Sequence, residues 1–269
     1  MNAKKLLKAT LVALLGSATF ALIHGTALAA KAKCPADSVQ VGNVCVDKYE
    51  ASVWEIPASN TALINKVKKG TVTLAGLTAA GATQRGVGAT DDYPCDGNGN
   101  ECDDIYAVSI AGVKPSATIT WFQAQQACMN AGKRLLTNAE WQGAAAGTPD
   151  PGTDNGSTDC NVSFNGFPAN DPVNTGLRAN CVSRWGAFDM VGNVWEWVAD
   201  WVPRSTTCGG SWSFSNDHQC FVGAATSGEP GALFRGGAFG NGTDAGVFAV
   251  DGFDSPSHTS SSLGFRCGR

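Results

Sequence analysis

The chain has 269 residues, 43% of them hydrophobic and 16% charged, with a formal net charge of −4. That mildly acidic balance lacks the basic face a nucleic-acid partner requires. Its 33 glycines and 8 tryptophans, beside few long charged side chains, exclude a helical bundle and point to a loop-rich globular protein.

The N-terminus carries Lys4, Lys5 and Lys8, an apolar run from Ala9 to Ile23, and the small-residue stretch Thr26-Ala27-Leu28-Ala29-Ala30. This tripartite order predicts a cleaved secretory signal over residues 1–30. The apolar run is short and broken by Gly16, Ser17 and Thr19, which disfavours a membrane anchor. Lys31 and Lys33 before Cys34 disfavour a lipidation site. Residues 31–269 are then expected to form a single domain with no further membrane span. The expected location is outside the bacterial cytoplasm: periplasmic, at the cell surface or secreted.

All ten cysteines follow the predicted signal, and an even count in an exported chain argues for disulfides. Cys34 lies near Cys45, Cys95 near Cys102, Cys160 near Cys181 and Cys208 near Cys220, leaving Cys128 and Cys267. Spacing alone does not fix the connectivity. No C-x-x-C pair occurs, and His218 and His258 are the only histidines after the signal, so a structural zinc site is disfavoured.

Val39 to Glu55 reads as strands around a Gly42-Asn43 turn, and Pro57 to Arg85 is ambiguous. The loop from Thr90 to Asp104 begins like a calcium loop at Asp96-x-Asn98-x-Asn100. Glu101 stands where that loop needs glycine, which favours a solvated loop clamped by cysteines. Thr120-Trp121-Phe122-Gln123 and Thr137-Asn138-Ala139-Glu140 are capping boxes, each opening a helix that stops at Gly132 and Gly147 respectively. Pro149 to Asn180 is turn-rich. Trp185 to Trp201 reads as buried strand or extended core, with an aromatic stacking platform as the alternative.

Around those two helices run Ile119-Thr120-Trp121-Phe122-Gln123-Ala124, then Cys128, then Gly132-Lys133-Arg134-Leu135-Leu136-Thr137-Asn138-Ala139-Glu140-Trp141. Further on come Asp189-Met190-Val191-Gly192-Asn193-Val194-Trp195-Glu196-Trp197, Arg235-Gly236-Gly237 and Leu263-Gly264-Phe265-Arg266-Cys267. Asp47-Lys48-Tyr49-Glu50 precedes them all. In this order the segments resemble the formylglycine-generating enzyme family. Its signatures are V-T/S-W-x-x-A…C…G-K-R-L-P-T-E-A-E-W, M-x-G-N-V-W-E-W, R-G-G-S and G-F-R-C. The resemblance implies an α+β, C-type-lectin-like fold: two helices on a small twisted sheet, with much irregular structure. It also implies a structural Ca²⁺ held by Asp189, Gly192, Val194 and Glu196, hard oxygens of the kind calcium takes. The alternative is that Glu196 pairs with a core arginine. A second family calcium site would use Asn161 and Val162, in a loop that departs from the family pattern.

The family's oxidase chemistry uses two cysteines shortly after R-G-G-S. Asn241 and Gly246 stand at those positions and offer no thiolate for copper. A related branch uses a three-histidine iron site, which His218 and His258 alone cannot build. The resemblance therefore implies a protein that is not an enzyme, with a metal-dependent oxidase as the alternative.

The segment from Arg235 to Arg266 resembles a narrower group, the variable proteins of diversity-generating retroelements. Their template reads approximately R-G-G-S-W-N-N-G-x-N-A-G-V-F-A-x-N-L-N-N-x-P-S-N-x-N-x-N-I-G-F-R, and copying errors at adenines diversify its Asn codons. On that pattern Gly236, Gly237, Ala245, Gly246, Val247, Phe248, Ala249, Pro256, Gly264, Phe265 and Arg266 are fixed. The variable, ligand-binding candidates are Phe239, Gly240, Asn241, Asp244, Asp251, Phe253, Asp254, His258, Ser260 and Ser262. All their residue types are reachable from an AAC codon, and no Lys, Glu, Gln, Met or Trp lies between Ala238 and Leu263. Phe239 and Phe253 are expected as exposed anchors, with Val247-Phe248-Ala249-Val250 as a buried strand beneath them. Arg235 and Arg266 are expected to make internal salt bridges. The implied function is an exported binder of varying targets, protein or cell-surface glycan. A calcium-dependent sugar lectin is a further alternative, although Glu229-Pro230-Gly231 lacks the side-chain oxygen of an E-P-N motif.

Overall fold

Four short helices and thirteen strands alternate along the described part of the chain. The computed structural model describes residues 33–163 and 171–269, so the predicted signal over 1–30 lies outside the described residues. Residues Lys33–Arg269 form one compact unit.

The Gly42-Asn43 turn joins β1 (Ser38–Val41) to β2 (Val44–Asp47), and Gly42 takes the left-handed φ of 58° that a tight hairpin requires. β3 (Ser52–Glu55) follows. The ambiguous stretch resolves into α1 (Thr61–Lys68), α2 (Leu74–Ala79) and β4 (Thr83–Arg85). Asn60 and Thr73 cap those helices by accepting from the amides of Leu63 and Gly76. β5 (Ile105–Val108) completes a three-stranded sheet in the order β4-β3-β5. Leu63, Ile64, Val67 and Leu77 bury against Trp54, Tyr106 and Val108 of that sheet.

Both predicted capping boxes form: Thr120 with Gln123 opens α3 (Trp121–Asn130), and Thr137 with Glu140 opens α4 (Asn138–Ala145). Between them lies β6 (Arg134–Leu135), which joins a four-stranded sheet in the order β1-β2-β13-β6, where β13 is Cys267–Gly268. Thus the C-terminal strand closes onto the N-terminal hairpin. The third sheet has six strands in the order β12-β7-β10-β11-β9-β8. These are β7 (Trp195–Val202), β8 (Gly210–Trp212), β9 (Ser215–Cys220), β10 (Gly231–Arg235), β11 (Val250–Asp251) and β12 (Leu263–Phe265). Its β12–β7 and β11–β9 pairs are parallel.

The core lies between α3 and α4 and these sheets. Ala124, Ala127 and Cys128 of α3 pack with Trp195, Trp197 and Phe265, while Trp141 and Ala144 of α4 pack with Val46, Val198 and Leu233. The tryptophan-rich stretch is strand only from Trp195. Trp185 and Trp201 are 43% and 44% exposed, because Trp185 lies in the preceding turns and Trp201 near the strand's far end. Trp121 and Trp201 meet edge to face, with no parallel platform between them.

Five disulfides join Cys34–Cys45, Cys95–Cys102, Cys128–Cys267, Cys160–Cys181 and Cys208–Cys220. Four clamp local loops. The fifth ties α3 to the last strand across a sequence separation of 139. Replacing that pair with alanines is expected to cost about 4 kcal/mol. The check is calorimetry, where the double variant should melt well below the parent.

Candidate functional site

Arg266 organises the centre of the molecule. Its Nε donates to both Glu196 oxygens at 3.0 Å, and one terminal nitrogen reaches Glu196 Oε1 at 2.7 Å. The other nitrogen donates to the Asp47 carbonyl at 3.0 Å. Trp141 Nε1 adds a bond to Glu196 Oε2 at 2.7 Å. A single guanidinium thus links the C-terminal strand to β7 and β2, and α4 joins through the indole. The expected salt bridge of Arg266 is present. Arg235 differs: it hydrogen-bonds Asn138 Oδ1, Gln142 Oε1 and the Val247 carbonyl, and stacks over Trp141 at 4.8 Å. No ion pair joins Arg235 among the described residues, because the groups that close around it in the interior are neutral. Burial lowers its pKa to about 10, against the nearby charge of Asp217.

The Asp189 to Glu196 turn packs beside this hub. Burial raises Asp189 to about 7, with the Gly176 amide and Arg266 pulling down and Glu196 pushing up. Burial also pushes Glu50 well above the carboxylate range, and the charges of Asp189 and Glu196 add to it. Glu50 holds the turn by accepting from the Val194 amide at 3.1 Å and from the Asn193 side chain. Three buried carboxyl groups therefore crowd around Arg266, and burial resists their ionisation, which a divalent cation would favour. Of the four predicted calcium ligands, Asp189, Gly192 and Val194 offer hard oxygens on this turn. Asp189 Oδ2 accepts from the Gly176 amide at 2.7 Å. Glu196 is committed on both oxygens to Arg266 and Trp141, so the geometry contains the alternative pairing with a core arginine. Asn161 faces Arg178 and Asn193 with its side chain.

From Arg235 onward, burial separates most of the frame from the candidates, with Val247 half-buried and Phe248 exposed as the two exceptions. Gly236, Gly237, Ala245, Gly246, Ala249, Pro256, Gly264, Phe265 and Arg266 are buried. None of the ten candidate binding positions is. The glycines of the frame are required sterically. A Cβ on Gly237, whose φ is 82°, would fall 2.5 Å from Ala245, and one on Gly246 would strike the Asp217 carboxylate.

Asn241, Asp251, Asp254, His258, Ser260 and Ser262 line one cavity of about 220 Å³, together with Trp195, His218, Phe234 and Leu263. Asp251 Oδ2 meets His218 Nε2 at 3.0 Å, and Asp254 Oδ2 meets His258 Nε2 at 3.6 Å. Ser260 and Ser262 share a hydrogen bond at 3.0 Å. Gly240 and Asp244 are exposed outside the cavity, Asp244 in a single 3₁₀ turn, Gly242–Asp244. Phe253 is 47% exposed with Arg204 over its ring at 5.9 Å.

Two expectations need correction. Phe239 is no free anchor: its amide donates to the Asn193 carbonyl at 3.0 Å, and its half-buried ring packs on the core. Nor is Val247 to Val250 a continuous buried strand, since only Val250–Asp251 pairs and Phe248 is 38% exposed. The Phe248 amide donates to Asp217 Oδ2 at 2.7 Å, so it bonds a side chain in place of a strand partner.

Asp217 and His218 were not among the predicted site residues. Both lie on β9, which is placed beside the site by its parallel pairing with β11, a contact with no local sequence signal. Trp195 and Phe234 form the aromatic floor; Trp195 lies in the stretch that reads as core with a stacking platform as the alternative, and Phe234 was not singled out.

The sulfatase-modifying factor enzyme 1-like domain matches residues 25–269, and the chain belongs to this family. The formylglycine-generating enzyme of Thermomonospora curvata is 35% identical over 101 residues, which cover 32% of this chain and 33% of that protein. That of Streptomyces coelicolor is 29% identical over 57% of this chain and 52% of its own length. The chain thus spans a third to about half the length of these curated relatives. Among solved structures, the Major Tropism Determinant I1 Variant aligns with a TM-score of 0.48 and 19% identity, over 87% of this chain and 52% of that one.

Two outcomes are expected from the site's geometry. Glu196→Gln leaves Arg266 short of its buried counter-charge and should destabilise by about 3–5 kcal/mol, measured by denaturant unfolding. Asp150 should titrate near 6, raised by desolvation and by the negative charge of Asp217 beside it. Asp217→Asn removes that charge and should lower the Asp150 midpoint in a carboxyl NMR titration.

Proposed function

We propose that this family member is an exported ligand-binding protein whose C-terminal surface is diversified by a retroelement. The observation that carries the reading is the division of burial: frame positions are buried almost throughout, and candidate variable positions all reach solvent. A segment that must accept many residue types needs this arrangement, because buried positions tolerate substitution poorly and exposed ones tolerate it well. Convergence of six candidates on one cavity adds a place for a target group to enter. Five disulfides suit an oxidising compartment, in keeping with export. The target is a protein or a cell-surface glycan.

A metal-dependent oxidase is the second reading, and the names of the curated relatives favour it. Against it, all ten cysteines are paired in disulfides, and Asn241 and Gly246 occupy the positions of the family's copper-binding thiols. A sugar lectin is disfavoured further by Gly231, which is buried in β10.

Calcium is proposed as a structural ion held by Asp189 and the carbonyls of Gly192 and Val194, with Glu196 joining once it yields a hydrogen bond from Trp141 or Arg266. It would screen the carboxylates of Glu50, Asp189 and Glu196 and stiffen the turn beneath the frame.

Sister copies of the gene should differ at the ten candidate positions and agree at the frame, with a reverse transcriptase and template repeat nearby. Copies that vary elsewhere, or a locus without those elements, would contradict the proposal. Added calcium should raise the melting temperature and a chelator should lower it. Stoichiometric copper or iron in the purified protein would favour the oxidase instead.

A further inference from the structure

The cavity beside the C-terminal loops has a chemistry of its own. Asp251 and Asp254 open into it with side chains 14% and 31% exposed. Burial raises the Asp254 pKa from its ordinary value; the charge of Asp251 adds to that, while His258 and Arg204 oppose it. Beneath them Trp195 and Phe234 meet edge to face at 5.1 Å, an aromatic floor. No lysine or arginine is among the lining residues, and Arg204 lies outside over Phe253.

From this arrangement we infer that the cavity takes a polyatomic organic cation: an ammonium or guanidinium group on a short apolar stem, as a lysine or arginine side chain of a target protein presents it. The inference deepens the proposed function and rests on reading this surface as a binding site. An anion would face two carboxylates, and Arg204, which acts on Asp254 from outside, does not line the cavity. A single metal ion finds no common centre here. His218 with Asp251 and His258 with Asp254 form two separate pairs. Among the described residues, three or more potential ligand atoms converge within 4.8 Å only at Cys208, Cys220 and Asp251, and those two cysteines are bonded to each other. A guanidinium or ammonium spreads its donors over several directions and can address both carboxylates, while its stem and charge lie against the aromatic floor. The volume of about 220 Å³ suits one side chain and is too small for a drug-sized ligand.

The test is an NMR titration of the purified protein with n-butylammonium, methylguanidinium and the neutral isostere n-butanol, at about pH 8 where imidazole is ordinarily neutral. Saturable binding of the cations should appear at the cavity residues, weaken with salt, and exceed that of n-butanol by about tenfold. Asp251→Asn and Asp254→Asn should each reduce the preference, and the double variant should abolish it. The wild-type comparison of cation with alcohol is decisive even if the variants fail to fold. Equal binding of butanol and butylammonium, no binding of either cation, or stoichiometric zinc in the same cavity would overturn the inference. Failure here alongside sister copies that vary as proposed would sink the ligand class alone. Sister copies that do not vary would sink the diversified-surface reading and leave a positive cation result standing.

Discussion

The buried pair of Arg266 and Glu196 is the interaction on which the other elements converge. Burying two charges costs several kcal/mol per ion, so the arrangement persists only because each guanidinium nitrogen finds an acceptor. Glu196 takes three contacts from the guanidinium and one from Trp141, while Arg266 also reaches the carbonyls of Asp47 and Phe188. Four distant stretches are thereby fixed to one planar group. The adjoining Cys267 is bonded to Cys128 of α3, which secures the same strand covalently. The N-terminal hairpin is tied in by a second buried pair, Lys133 with Asp47 at 2.7 Å.

This anchoring has a functional consequence. The loops between Gly237 and Leu263 begin and end on buried, closely packed residues, while the candidate side chains between them all reach solvent. The β8–β9 hairpin supports the same loops from the side. Asp217 holds Phe248, and Trp212 Nε1 donates to the Phe248 carbonyl at 3.0 Å. A hairpin outside the candidate variable segment therefore sets the level at which that segment is presented, and it contributes His218 to the cavity directly.

Much of the scaffold was legible locally. Capping boxes depend on residues three apart, and hairpin turns on adjacent ones, so α3, α4 and the β1–β2 turn could be read from short windows. The disulfide partners followed proximity in the chain, with the long bridge left by subtraction. The caps of α1 and α2, Asn60 and Thr73, were present in the sequence but were obscured because helices of eight and six residues are too short to show a clear period. What could not be read was tertiary. The β9–β11 pairing, the capture of Phe248 by Asp217 and the inward turn of Phe239 each depend on contacts between segments far apart in sequence. For the same reason Glu196 read as a calcium ligand with a core arginine as the alternative partner, and its contacts with Arg266 come from a strand end 70 residues away.

We propose a buried frame that carries a surface free to vary. It is tested most directly by a library in which all ten candidate positions carry residues reachable from an AAC codon while the frame is unchanged, scored for protease-resistant folded protein. The account predicts that most members fold with melting temperatures close to the parent's, whereas an equal library at Gly237, Ala245, Gly246, Ala249, Phe265 and Arg266 yields almost none. Similar losses in both libraries would contradict it.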